Sequence, residues 1–134
     1  MKLIPRKQQH GYVPAERRIH LRRDFYRFHL NAQLIQDLGL KGGERIIIAK
    51  DEDSRNDWYF TVTTDEGAKI RICLRNKNGD PISAAFYNKA AVNEILNSVN
   101  AVNTAAFIVA AKATMMPDGR TWYRIMTSTP IKKN

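Results

Sequence analysis

The sequence predicts a mostly β, barrel-like domain with two short helices, built as two duplicated ββαββ halves. Three observations carry that expectation. Several short runs alternate apolar and polar residues, as half-buried strands do. Two stretches place apolar residues at helical spacing directly after an asparagine, a side chain that caps helix N-termini. The order strand, strand, helix, strand, strand then occurs twice along the chain.

Residues 1–16 hold Pro5, Gly11 and Pro14 around Arg6-Lys7-Gln8-Gln9-His10 and show no period, which predicts a basic flexible arm. From Arg17 to Arg23 the chain alternates, with Ile19 and Leu21 on one face and Arg18, His20 and Arg22 on the other. Phe25 to Leu30 reads as a second strand, with Tyr26, Phe28 and Leu30 opposite Arg27 and His29. Asn31 then caps a helix over Ala32–Leu38, and Gly39 ends it because glycine adopts the left-handed conformation freely. Lys41-Gly42-Gly43 is a turn, Glu44 to Lys50 a strand, Asp51 to Asn56 a hairpin loop, and Trp58 to Thr64 the returning strand.

The second half repeats the pattern after Asp65-Glu66-Gly67. Lys69 to Arg75 alternates, with Ile70, Ile72 and Leu74 on one face and Lys69, Arg71, Cys73 and Arg75 on the other. Asn78-Gly79 is a strong hairpin signal, since both residues tolerate positive φ. Pro81 to Tyr87 is a strand, Asn88 a cap, and Lys89 to Val99 a helix with Val92, Ile95, Leu96 and Val99 inward. Thr104 to Lys112 and Arg120 to Thr127 are the last strands, separated by Pro117-Asp118-Gly119. One barrel-like domain is expected over 17–128, its halves over 17–64 and 68–128, with a tail over 129–134.

Residues agree in register with these elements. Asn31 and Asn88 both cap, Ile35 corresponds to Val92, Asp37 to Glu94, and Leu38 to Ile95. The closing strands begin Trp58-Tyr59 and Trp122-Tyr123, which use the only two Trp of the chain. Arg18, Ile19, Leu21 and Arg22 correspond to Arg71, Ile72, Leu74 and Arg75. A half of about 50 residues buries too little of its apolar surface to be stable alone. Two interleaved halves solve that problem and leave few free strand edges.

Composition bounds the function. The 134 residues fit one domain, and 43% apolar with 26% charged residues is a globular balance. The longest apolar run, Ala105 to Ala111, falls far short of the ~20 residues that a membrane helix needs. The first residues, Met1-Lys2-Leu3-Ile4-Pro5, open no secretory signal, and the lone Cys73 forms no internal disulfide. A cytoplasmic protein with no membrane partner follows as the expectation. The formal net charge is +9, and residues 1–30 alone carry eight Lys and Arg against Glu16 and Asp24. Such asymmetry points to a polyanionic partner, whereas the plain alternative is a solvated surface whose cations pair with Asp51, Asp53 and Asp57.

Catalytic and metal chemistry find no pattern to stand on. His10, His20 and His29 lack metal spacing with Cys73, and no CxxC or HxxxH exists. His20 and Cys73 fall on equivalent faces of the two opening strands, but no third orienting residue accompanies them. The Gly pairs belong to turns, not phosphate loops. The Asp51-Glu52-Asp53 carboxylates sit in an exposed loop without the burial that acid catalysis needs. No enzyme activity, cofactor or small-molecule substrate is expected, and homo-oligomerisation is compatible with the sequence.

From Leu30 to Asp51 the chain reads Phe28-His29-Leu30, then Gln33-Leu34-Ile35-Gln36-Asp37-Leu38, then Gly39-Leu40-Lys41-Gly42-Gly43-Glu44-Arg45-Ile46-Ile47-Ile48. This stretch resembles the AbrB/SpoVT family of small bacterial DNA-binding regulators. The resemblance implies a swapped-hairpin fold and transcription regulation, with basic residues of the opening strands facing DNA. Those residues here are Arg17, Arg18, Arg22, Arg23 and Arg27, and in the second half Lys69, Arg71 and Arg75. The strand pattern reaches the same residues independently. Cations two apart on a strand repeat about every 6.6 Å, so a row can neutralise successive phosphates and release counterions. Double-stranded DNA is the first expectation. Single-stranded DNA or RNA stacked on Tyr59, Tyr87 or Tyr123 is the second, and an interaction module of a mobile element the third.

Overall fold

The computed structural model describes residues 3, 16–53 and 57–134. The expected basic arm, apart from Leu3 and Glu16, and the Ser54–Asn56 part of the acidic loop lie outside the described residues.

Strands β1 (Arg18–Arg22) and β2 (Arg27–Leu30) form the first hairpin, followed by α1 (Ala32–Leu38) and then β3 (Arg45–Lys50) and β4 (Trp58–Thr63). A short β5 (Ala68–Lys69) precedes the second hairpin of β6 (Arg71–Arg75) and β7 (Pro81–Tyr87). After α2 (Lys89–Ser98) come β8 (Thr104–Ile108), β9 (Thr114–Met115), β10 (Thr121–Ile125) and β11 (Lys132–Lys133). The local signals form the elements they predict. Asn31 Oδ1 accepts from Leu34 N and Asn88 Oδ1 from Ala91 N, both at 3.1 Å. Gly39 ends α1 in the left-handed conformation at φ 65°.

The strands make two antiparallel sheets, ordered β11-β8-β1-β2-β7-β6 and β5-β3-β4-β10-β9. A closed barrel, expected from the sequence, is not found. The two sheets meet at two corners. At one corner Ile70 separates β5 from β6, and at the other β8 and β10 meet through the bridge Val109↔Ile125. Between the sheets lies one apolar core to which both halves contribute, including Ile19, Leu21, Phe28, Leu34, Phe60, Phe86, Ile95, Phe107 and Ile125. Phe28 and Phe86 stack at its centre, 4.6 Å apart and 6° from parallel. Among the described residues no helix is long and apolar enough to cross a membrane.

Three local expectations are corrected. Phe25 and Tyr26 belong to the β1–β2 turn, with φ of 84° and 52°, and not to a strand. The 129–134 tail is tied into the first sheet, with Lys132 opposite Ala106 and Lys133 opposite Ala105. Leu74 does not face the core with Ile72. The β6–β7 register shifts between Ile72 and Leu74, so Leu74 lands opposite Ser83 and is 57% exposed. One extra residue reverses every side chain that follows, which periodicity alone does not reveal.

Candidate nucleic-acid interface

Directly opposed residues of an antiparallel pair point to the same side of the sheet. In the first sheet Ile19 pairs with Leu30 and Leu21 with Phe28, all of them buried. The alternate residues therefore share the outer face: His20 opposite His29, and Arg22 opposite Arg27. Pairing carries this row sideways. His20 lies opposite Ala106, which lies opposite Lys132, while His29 lies opposite Ala85, which lies opposite Arg71. With strands about 4.8 Å apart, Lys132, His20, His29 and Arg71 form one row about 24 Å long across six strands. Ala106 and Ala85, which separate them, are both fully buried. Arg18 lies beside this row on β1, and on its other side Arg22, Arg27 and Tyr87 form a second row.

The eight basic residues expected at the site divide into two groups. Arg17 and Arg23 are occupied within the fold. Arg17 has only 14% of its side chain exposed; it pairs with Asp37 at 3.2 Å and donates to the Ala111 carbonyl. Arg23 donates to the Val102 and Ala101 carbonyls and to Asn93 and Asn97 Oδ1, at 2.7–3.1 Å, and so clamps the β1–β2 turn to the end of α2. The others lie nearer solvent. Arg18 pairs with Glu16 at 2.7 Å and Arg22 with Asp24 at 3.1 Å, both solvent-accessible pairs that phosphate can replace. Arg75 donates to the Gly79 carbonyl at 3.0 Å. Among the described residues, Arg27, Lys69 and Arg71 form no ion pair, and the Arg27 Nε is buried with no hydrogen-bond partner. Lys69 stands apart on β5, opposite Arg45 in the second sheet. Pairing of the opening-strand arginines with Asp51, Asp53 or Asp57 does not occur among the described residues; Asp57 is taken by Arg124 at 2.8 Å.

His20 and His29, which the sequence offers no metal spacing, sit at the centre of the row. Their rings are 5.8 Å apart at 62°, and His29 Nε2 is 2.6 Å from Ser83 Oγ. The pKa of His20 is lowered by burial, then by Lys132 and Arg18. That of His29 is lowered by burial, then by His20 and Arg27. Burial is the larger cause for both rings, and the neighbouring cations add to it in the same direction. His20 and Cys73 do not meet, because β2 and β7 lie between β1 and β6, about 14 Å across.

The tyrosines expected to stack also separate. Tyr123 stacks on Phe60 inside, with centroids 5.4 Å apart. Tyr59 lines a groove on the second sheet together with Trp122, Asp51, Glu52, Asp53 and Asp118, which is acidic and remote from the cationic row. Tyr87 alone of the three shares the cationic face, 43% exposed. Sequence reading missed Lys132, because a two-residue strand in a tail carries no period. It also missed Phe25 and Tyr26 as surface residues, because aromatic runs score as strand. No group of three or more metal-ligating side chains occurs among the described residues. Comparison with protein-family models, curated proteins and solved structures yields no match.

Proposed function

We propose that this chain is a nucleic-acid-binding protein that engages phosphates across the outer face of its first sheet. The observation that carries the reading is the pairing register, which gathers Lys132, His20, His29 and Arg71 into one lateral row flanked by Arg18, Arg22 and Arg27. The cations Lys132 and Arg71 at the ends of the row, with Arg18, Arg22 and Arg27 beside it, can neutralise a backbone of evenly spaced charges and release its counterions. Lys69, Arg75 and the structural pair Arg17 and Arg23 are left out of the contact set. A regulatory role on DNA, as the resemblance to the AbrB/SpoVT family implies, belongs to this proposal, as does a cytoplasmic location.

The proposal extends to the origin of the fold as two ββαββ halves. What supports this is the pairing order: β1–β2 corresponds to β6–β7, while β2–β7 and β4–β10 each join equivalent strands. The two halves are not in phase throughout, since Leu30 before the first cap is buried and Tyr87 before the second is exposed.

The test is titration of a labelled duplex at two salt concentrations. Between about 50 and 200 mM salt the affinity falls by tenfold or more, and the double variant Arg27→Ala, Arg71→Ala lowers the slope of log K against log salt by about 2. Absence of binding to duplex and to single strands alike at the lower salt overturns the reading and leaves the interaction module in its place.

A further inference from the structure

The two hairpins of the first sheet close differently. In the β6–β7 turn, Gly79 takes φ 85°, a conformation that glycine adopts without steric cost. In the β1–β2 turn the same φ, 84°, is taken by Phe25, and Tyr26 follows at 52°. Positive φ in a bulky aromatic residue is an outlier that the surroundings must impose, and such outliers concentrate where a side chain is used. Phe25 is not held there by burial, since it is 69% exposed, and Tyr26 is 38% exposed.

The surroundings do impose it. The Arg23 side chain is clamped to α2 and the loop after it, and Arg23 N donates to the Asn103 carbonyl at 2.8 Å. On the other side of the tip the Tyr26 carbonyl accepts from Asn88 N at 3.0 Å, and Lys89 Nζ lies 5.1 Å from the Tyr26 ring centre. The turn is therefore preorganised, with an aromatic ring presented to solvent at the end of the cationic face. Arg22 and Arg27 close the hairpin immediately beneath it, and Tyr87 lies opposite Arg27. Cations beside solvent-facing aromatic rings are the chemistry of binding unpaired nucleobases, whose π-faces a duplex hides.

We propose that the β1–β2 turn is a base-stacking tip: Phe25 stacks on an unpaired nucleobase of a single-stranded segment whose phosphates follow the cationic face. This rests on the function proposed above and narrows it to strands with accessible bases. Rigidity of the tip lowers the ordering cost of that contact.

The test compares a thymidine oligonucleotide with an abasic oligonucleotide of the same length and charge, on the wild type and Phe25→Gly. Glycine suits φ 84° and removes the ring, so the variant folds, which a thermal melt checks. The expected result is that wild type prefers the base-bearing strand and that Phe25→Gly loses about fivefold or more on that strand only. Equal affinities of variant and wild type for the thymidine strand overturn the stacking tip while leaving the cationic face intact. Failure of wild type to bind either oligonucleotide or heparin at low salt overturns both.

Discussion

His20 on β1 and His29 on β2 face each other across the first sheet, 5.8 Å between ring centres. The groups that surround the pair are Lys132 of β11, Arg18 and Arg22 of β1, Arg27 of β2, the Ser83 hydroxyl of β7 and Arg71 of β6. Its charged members are cations, of which Arg18 and Arg22 are paired with Glu16 and Asp24. Phosphate brought to this face favours the protonated rings, so polyanion binding takes up protons.

The pH dependence follows with opposite signs for folding and binding. Both histidines have folded pKa values below 6.5, so stability is complete above that value and declines as pH falls through it towards the lower folded pKa. Oligonucleotide binding instead strengthens from about pH 7.5 to 5.5. The double variant His20→Gln, His29→Gln flattens both trends, as urea titrations and anisotropy at several pH values will show.

Arg23 is a structural clamp by its contacts, despite its place in the basic run. Arg23→Ala is expected to destabilise by about 2 kcal/mol, since Asn93, Asn97 and two carbonyls lose a charged donor. At low temperature, with the fold intact, its phosphate affinity changes less than that of Arg27→Ala. Chemical denaturation and duplex titration separate the two effects.

Phe28→Ala removes one ring of the stacked central pair, both members of which are fully buried. The expected loss is about 3–5 kcal/mol, the usual range for a large buried aromatic. A midpoint shift in urea with unchanged slope confirms it; a loss under 1 kcal/mol, near the ~0.5 kcal/mol usual at surface sites, contradicts the assigned core.

Two glycines at positive φ separate backbone strain from steric contact. A Cβ at Gly67 would lie 2.4 Å from the Ile46 carbonyl oxygen, whereas one at Gly79 meets nothing within 4 Å. Gly79→Ala therefore carries only the left-handed penalty of about 1 kcal/mol. Gly67→Ala must also displace the β3 backbone and costs at least twice as much. Parallel thermal melts of the two variants make the comparison.

The elements were legible because their causes are local. Period-2 alternation put Ile19, Leu21, Phe28 and Leu30 inside, and the Asn31 and Asn88 side chains cap the helices that the sequence places after them. The basic residues were found, but not their roles. A guanidinium has the same sequence signature whether it meets solvent, as at Arg71, or a cluster of carbonyls and amides, as at Arg23.

By itself the sequence determined where both helices and the longer strands lie and that one region is strongly cationic, since propensity, capping and charge act over a few residues. Tertiary structure decided which strands are neighbours, that a bulge turns Leu74 outward, and that Lys132 returns from the tail to the row of His20, His29 and Arg71. Those outcomes depend on pairing between residues tens of positions apart. Loop closure and burial of a shared core select that pairing, and no local pattern encodes it.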